Sequence, residues 1–296
     1  MAIAARSAAR EVHVIAFLGM GLLGSGFVRA LRRRGEPVQV WSRSAQKARA
    51  LEGAGAVPCA TPADAVRGAA RVHLALSDDA AVDAVLEAAR PGLALGAVLV
   101  DHTTTSPAGA RARVARWRDL GHPFQHAPVF MGPRNALEST GLMLASGDPA
   151  RFEGLRPALE KMTGKLAWLG PDEGRAAALK LVGNLFLMAM AVGLVDALAL
   201  GKAMGVPPAE AGALFDLFNP AASVPARVKR ILAAGQDQPS WTLEMARKDA
   251  RLMQEAVGPD GGGLSLLPAL AGAMDRAVAE GLGEKDWMIL GRSVVR

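Results

Sequence analysis

Asp172 to Met204 is a stretch of roughly 33 residues, DEGRAAALKLVGNLFLMAMAVGLVDALALGKAM, without a proline. Helix formers dominate it, and Asp172 and Glu173 open it where the positive end of a helix dipole favours acids. The spacing predicts one continuous helix, about 50 Å long at about 1.5 Å per residue. Such a rod is longer than a small domain is wide, so it should run out of one domain and into another. Lys180 and Asn184 are its odd residues. They stand four apart on one face, which leaves two readings open: a snorkelling lysine beside a core asparagine, or two polar groups taken into a buried site.

With 296 residues, 51% of them hydrophobic, the chain can form two domains with a sizeable core. Cys59 is its only cysteine, which excludes an intramolecular disulfide and a cysteine metal cluster and points to a reducing, cytoplasmic setting. The longest purely apolar run, Leu185 to Val195, is about half of what a bilayer span needs, so no membrane helix is expected. Residues 1–11, MAIAARSAARE, lack the apolar core of a secretory signal and read as a loose extension. The net charge is +6, with arginines clustered at Arg32, Arg33 and Arg34. That cluster closes a predicted helix, where cations complement the dipole, and no aromatic stacking set accompanies it, so no nucleic-acid partner is expected.

His13 to Leu18 has strand length and leads into GMGLLG, which places Gly19, Gly21 and Gly24 in G-x-G-x-x-G spacing before a helix over Leu22 to Arg34. Strand, glycine loop and helix in this order form the dinucleotide fingerprint. Gly19 allows the tight turn, Gly21 lets a pyrophosphate approach, Gly24 brings helix and strand together, and Met20, Leu22 and Leu23 complete the loop whose amides would face the phosphates. The second strand, Val38 to Trp41, ends at Ser42, Arg43 and Ser44, with Lys47 one turn onward. An acid here would hold the ribose hydroxyls of NAD. The cation and hydroxyls found instead point to NADP.

Further strands are read at 72–76, 97–100, 124–129, 141–145 and 165–169, with helices at about 45–52, 80–89 and 107–120. The alternation predicts an α/β fold with a mainly parallel, doubly wound sheet. Leu76 and the clusters Ser77-Asp78-Asp79 and Asp101-His102-Thr103-Thr104-Thr105 follow strand ends, where ligands lie in open parallel sheets; their other reading is capping of the next helix, a role that Ser106 before Pro107 suits. Gly205, Pro207 and Pro208 should stop the long helix. Helices are then read over 209–218, 225–234, 242–257 and 266–280, punctuated by Asn219-Pro220, Gln238-Pro239 and Gly258 to Gly263, and no segment there alternates like a strand.

Seven ordered motifs, GMGLLG, VWSRS, LSDDAAV, VDHTTTSP, HAPVFMGPRNALESTG, GRAAALKLVGN and WTLEMARKDARL, together resemble the β-hydroxyacid dehydrogenase family, which includes hydroxyisobutyrate dehydrogenases and glyoxylate and succinic semialdehyde reductases. The resemblance covers the chain from about Val12 to Leu290. It implies a Rossmann domain over 12–170, then the interdomain helix and an all-helical domain over 171–296, with the active site in the cleft between domains. Lys180 matches the family's catalytic lysine, with Asn184 beside it; Thr104 and Lys248 match cofactor contacts. Homodimers or homotetramers packed through the helical domains are implied as well.

One departure concerns the substrate loop, usually D-A-P-V-S-G-G, whose serine and glycine amides hold a substrate carboxylate. Here it reads His126 to Gly132, with Phe130 for the serine and Met131 for the first glycine. Phe130, Met131 and Gly132 thus become candidate contacts for a substrate with an apolar group. His126 reads either as a structural histidine or as a proton donor near the cleft. The expected activity is reversible hydride transfer between NADP(H) and an aldehyde, ketone or keto acid. Imine reduction and a non-catalytic NADP-binding sensor are the alternatives.

Overall fold

The computed structural model describes residues 14–233, 238–258 and 263–295. The N-terminal extension, the last residue of the helix read over 225–234 and the middle of the glycine-rich link 258–263 lie outside the described residues. The chain divides into two compact units, Met1–Asn184 and Leu185–Arg296.

In the first unit, β1 (Val14–Leu18), α1 (Leu22–Arg33), β2 (Val38–Trp41), α2 (Ala45–Arg49), β3 (Val57–Pro58) and α3 (Pro62–Val66) precede β4 (Ala69–Leu74). Then come α4 (Asp79–Ala89), β5 (Val98–Asp101), α5 (Pro107–Asp119) and β6 (Phe124–His126). These strands pair in the order β3-β2-β1-β4-β5-β6, all parallel. A second sheet follows, built from β7 (Val129–Phe130), β8 (Leu142–Ala145) and β9 (Lys165–Trp168), with α6 (Pro133–Glu138) and α7 (Pro149–Leu159) between its strands. β7 runs antiparallel to β8, and β9 parallel to it.

One strand over 124–129 is expected from the sequence, but the chain breaks at Ala127-Pro128 and passes from the first sheet to the second. Pro128 has no N–H for a ladder, and its carbonyl accepts from Leu144 N at 2.9 Å. The short helices α3, α6 and α7, which sequence periodicity did not mark, each open with a proline at the first helical position, where its missing N–H is harmless.

Alternation along the strands divides the core. Ile15 and Phe17 of β1 face Phe27, Val28 and Leu31 of α1 together with Met143 and Leu159. Ala16 and Leu18, pointing the other way, join Val82, Leu86, Val114 and Trp117 from α4 and α5. A parallel sheet covered on both faces requires such near-continuous apolar strands.

The long helix, α8 (Arg175–Ala203), has 29 residues, and the boundary between the units falls within it. It starts three residues later than the sequence suggests, because Asp172 turns back to accept from Gly174 N. Gly205, at φ 80°, follows its end. By length and composition α8 is apolar enough to cross a bilayer, an 18-residue window within it having a mean hydropathy of 2.0; counting only its unbroken apolar run misses this. Its Asp196 accepts the backbone N–H groups of Ser265, Leu266 and Leu267 at the start of α12 (Leu267–Ala279). The second unit also contains α9 (Pro208–Leu217), α10 (Val224–Leu232), α11 (Leu243–Val257) and a 3-10 segment at Trp287–Val294. Much of α8 is uncovered in the single chain, Leu185 being 71% and Val195 61% exposed.

Two histidines are buried on the α1 face of the larger sheet. Arg71 Nε donates to His73 Nε2 at 2.8 Å, His73 Nδ1 meets His102 Nε2 at 2.9 Å, and His102 Nδ1 meets the Ala127 carbonyl at 2.8 Å. Because Arg71 only donates and Ala127 O only accepts, both rings carry their proton on Nδ1 and are neutral. Burial pushes His73 well below the ordinary imidazole range and His102 down to about 4, and the Arg71 charge adds to both. The unfolded chain takes up these protons near pH 6.5 and the folded chain does not, so stability is full above that pH and falls as pH drops towards 4. His102 alone should remove about 2 kcal/mol of unfolding free energy between pH 7.5 and 5. Urea denaturation across that range should show the loss, and His102→Gln should flatten it; a slope unchanged by that substitution would mean the ring is not held neutral.

Candidate active site

The turn after β1 is built from backbone approaches that exclude a side chain. Gly19 has φ 104°, and a Cβ on it would lie 2.3 Å from the Ala75 carbonyl oxygen; a Cβ on Gly24 would lie 2.0 Å from the carbonyl oxygen of Gly19. Gly21 faces open space. No side chain caps α1 and its first turn contains no acid, so the amides of Leu22, Leu23 and Gly24 keep the unpaired donors and positive dipole end that suit a pyrophosphate.

These residues border a cavity of about 350 Å³ at the carboxyl ends of β1, β4 and β5, completed by Ala75, Leu76, Ser77, His102, Thr103, Thr104, Val129, Met131 and Lys180. Leu76 N donates to Thr103 Oγ1 at 3.0 Å, which ties together the loops after β4 and β5. The acids in those loops are structural. Asp78 caps α4 by accepting from Ala81 N, Asp79 accepts from Ser106 N and pairs with Arg113, and Asp101 accepts from Thr103 N. His126 is buried, with Nδ1 3.4 Å from Asp101 Oδ2 and no hydrogen bond to either ring nitrogen; it does not border the cavity, so its place is structural.

Lys180 enters from α8 and is 8% exposed. Its ammonium donates to Asn184 Oδ1 at 2.7 Å and lies 3.9 Å from the centre of the Phe130 ring. The ring lies flat enough against α8 that a Cβ on Gly183 would stand 2.3 Å from it. Burial pulls the lysine below its ordinary pKa, while the ring face favours the charged form. Lys180 makes no ion pair among the described residues.

Of the candidate cofactor residues, Gly21, Leu22, Leu23, Gly24, Leu76, Ser77 and Thr104 come together around one cavity with Met131 and Lys180. Gly19 shapes the turn from below. Met20 keeps its backbone in the loop, while its side chain is buried in the α1-face core. Ser42, Arg43, Ser44 and Lys47 stand at the end of β2 and the start of α2, outside that cavity, and Arg43 and Lys47 are exposed, with no side-chain hydrogen bond or ion pair among the described residues. Lys248 belongs to the second unit, on α11, where it pairs with Asp249 at 2.8 Å. Gly132 also departs from expectation as an anion donor, because its N–H is already given to Asn135 Oδ1 at 2.9 Å. Gly183 was not singled out in the sequence, although a glycine inside so strong a helix is a signal of close packing.

Residues 14–170 match the family of the NAD binding domain of 6-phosphogluconate dehydrogenase. The 3-sulfolactaldehyde reductase of Escherichia coli strain K12 is 26% identical over 284 residues, 92% of this chain and 93% of that protein. Glyoxylate/succinic semialdehyde reductase 2 of Arabidopsis thaliana, a chloroplastic protein, is 29% identical over 197 residues, covering 66% of this chain and 55% of its own. Among solved structures, an imine reductase from Myxococcus stipitatus in complex with NADP+ superposes with a TM-score of 0.87 at 24% identity, over 95% of this chain and 99% of that one; that likeness is one of fold. A glycine cradle that suits a nicotinamide dinucleotide, a family match over more than half the chain and full-length reductase relatives lead to one assignment: the chain belongs to the β-hydroxyacid dehydrogenase family of oxidoreductases, with a dinucleotide-binding domain of the 6-phosphogluconate dehydrogenase type.

Proposed function

We propose that the protein is an NADP(H)-dependent reductase that interconverts an aldehyde, ketone or keto acid with the corresponding alcohol or hydroxyacid, with Lys180 as general acid and base. The observation that carries this reading is the Lys180 ammonium, held by Asn184 and the Phe130 ring at the border of the dinucleotide cavity. The nicotinamide supplies hydride to the carbonyl carbon when bound. Lys180 Nζ gives its proton to the forming alkoxide oxygen, and Asn184 orients it by accepting from the ammonium. In oxidation the neutral amine takes the alcohol proton, a state that burial brings closer to neutral pH.

Arg43, Ser42, Ser44 and Lys47 favour the 2′-phosphate of NADP, since no acid occupies the end of β2. Two substitutions separate binding from chemistry. Arg43→Ala should weaken NADPH by about 1.5–3 kcal/mol and leave NADH nearly unchanged. Lys180→Ala should lower kcat about 10²- to 10⁴-fold with NADPH affinity preserved. Equal affinity of the parent for both cofactors would sink the first assignment, and near-normal turnover of the lysine variant the second.

On the substrate side the usual carboxylate grip is missing three times over. Phe130 brings no hydroxyl, the Gly132 N–H is occupied by Asn135, and Pro133 has no N–H. Phe130 and Met131 instead offer apolar surface, and the substrate therefore carries an apolar group beside its carbonyl. The imine reductase fold likeness joined to this apolar wall keeps a cyclic imine as the second reading. An NADPH oxidation panel of aldehydes, keto acids and cyclic imines decides between them, and no turnover of any would favour the sensor. Phe130→Ser with Met131→Gly should shift preference towards small hydroxyacids. A parent kcat/KM above ~10⁴ M⁻¹s⁻¹ on hydroxyisobutyrate or succinic semialdehyde would overturn this reading of the loop.

The uncovered apolar face of α8, including Leu185, Met188 and Val195, supports a homodimer or homotetramer; the reductase reading itself takes a small molecule as partner, with neither membrane nor nucleic acid, and the single cysteine, Cys59, fits a cytoplasmic setting. Sedimentation equilibrium at micromolar concentration should find the oligomer; a stable monomer would contradict it.

A further inference from the structure

A cavity of about 560 Å³ lies at the opposite end of the larger sheet from the glycine turn. Val14, Pro37, Arg71 and Val98, at or beside the amino ends of β1, β2, β4 and β5, border it together with Arg34 and Lys161. Parallel topology keeps this end of the sheet away from the dinucleotide, whose cradle is at the carboxyl ends. It is a separate place with its own chemistry.

Three cations, Arg34, Arg71 and Lys161, face this space against one carboxylate, Glu36. Arg71 carries the argument. It lies on a strand, so no helix dipole accounts for its charge. Among the described residues its only hydrogen bond is from Nε to the neutral His73 ring and no acid stands within ion-pair distance, so the terminal nitrogens of the guanidinium are left to the cavity. Arg34 donates to Ser139 Oγ at 3.0 Å, again to a neutral group, and Lys161 makes no ion pair among the described residues. Partial burial lowers both guanidinium groups, Glu36 offsets part of that on each, and the Arg34 charge works against that of Arg71. Folding thus holds partly dehydrated cations together with one shared acid, an arrangement that an incoming anion would relieve.

We propose that this cavity is an anion-binding site, in which Arg34, Arg71 and Lys161 hold a small ligand through a phosphate or carboxylate group. Arg71 presents a planar fork of donors, which suits either group in bidentate fashion. The volume exceeds that of a single phosphate and leaves room for a metabolite body against Val14 and Val98.

Inorganic phosphate and citrate, titrated calorimetrically into the full chain at constant ionic strength, test this. At least one should bind saturably; phosphate alone assigns the phosphate class, and citrate alone the carboxylate class. Arg71→Gln and Lys161→Gln should each weaken that binding about tenfold to a hundredfold, the worth of a charge-assisted contact, and Arg43→Ala should leave it unchanged. Saturable binding of neither anion would overturn the proposal, as would binding lost with Arg43→Ala and kept with Arg71→Gln. Lys161 is exposed, so its variant decides the matter if Arg71→Gln does not fold, and an affinity there equal to that of the parent counts against the site.

Discussion

The backbone of Gly24 runs so near the carbonyl of Gly19 that a Cβ would stand 2.0 Å from its oxygen, and Gly19 in turn presses on the Ala75 carbonyl. These two approaches bring β1, α1 and the loop after β4 to one point, and they leave the first-turn amides of α1 without internal partners. The same device recurs at Gly26, where a Cβ would lie 2.8 Å from the Pro133 carbonyl oxygen and 3.0 Å from Ala136 Cβ. Because of it α6 can lie directly on α1, and α6 contains Asn135, which occupies the Gly132 amide. A fourth approach, at Gly183, seats the Phe130 ring against α8 below Lys180. The dinucleotide cradle and the lysine's surroundings both depend on carbons that are absent.

The charge distribution of the first unit follows the direction of its sheet. At the carboxyl ends the cavity relies on amide dipoles and one ammonium, with the acids of the neighbouring loops turned inward to cap helices or bind Arg113. At the amino ends the cavity sets two guanidinium groups and one ammonium against a single acid, Glu36. Between these ends the neutral pair His73 and His102 fills the space next to Phe17 and Phe27, stacking on Phe17 at 5.7 and 6.4 Å between ring centres. Two imidazoles in so apolar a place remain uncharged because each nitrogen already has a donor or acceptor partner that specifies its tautomer.

The parts legible in the sequence are those that local chemistry determines. The glycine loop was readable because strand, spacing and helix together define the fingerprint; α8 because nothing within it breaks a helix; Ser106 because it precedes Pro107 as a cap should, and it does accept from Gly109 N. Other features depend on contacts between distant residues. Met20 lies in the fingerprint, yet the next turn buries its side chain. The Gly132 N–H, by contrast, is taken locally by Asn135 three residues on, in the cap of a short helix that periodicity did not mark. The passage of the chain from one sheet to the other at Pro128 has a local cause but a distant outcome, because the position of β8 decides where β7 pairs. Arg71 lies just before the strand read over 72–76, whereas the structure sets it inside β4, and its isolation is a property of the folded environment.

Lys180 is the only charged residue bordering the dinucleotide cavity among the described residues. In a site that gripped a carboxylate through this ammonium, the ion pair would raise the lysine pKa and hold its proton, opposing the depression that burial produces. One cation would then have to serve as both anchor and acid. The Phe130 ring stabilises the ammonium without offering a proton acceptor or a full negative charge, so it does not compete with an alkoxide for the proton. Asn184, a neutral acceptor, orients the same group. Replacing the hydroxyl of the usual loop with an aromatic face therefore changes more than the shape of the substrate pocket: it leaves the proton of Lys180 available to the reacting oxygen, beside a substrate loop that offers an anion neither a hydroxyl nor the Gly132 N–H.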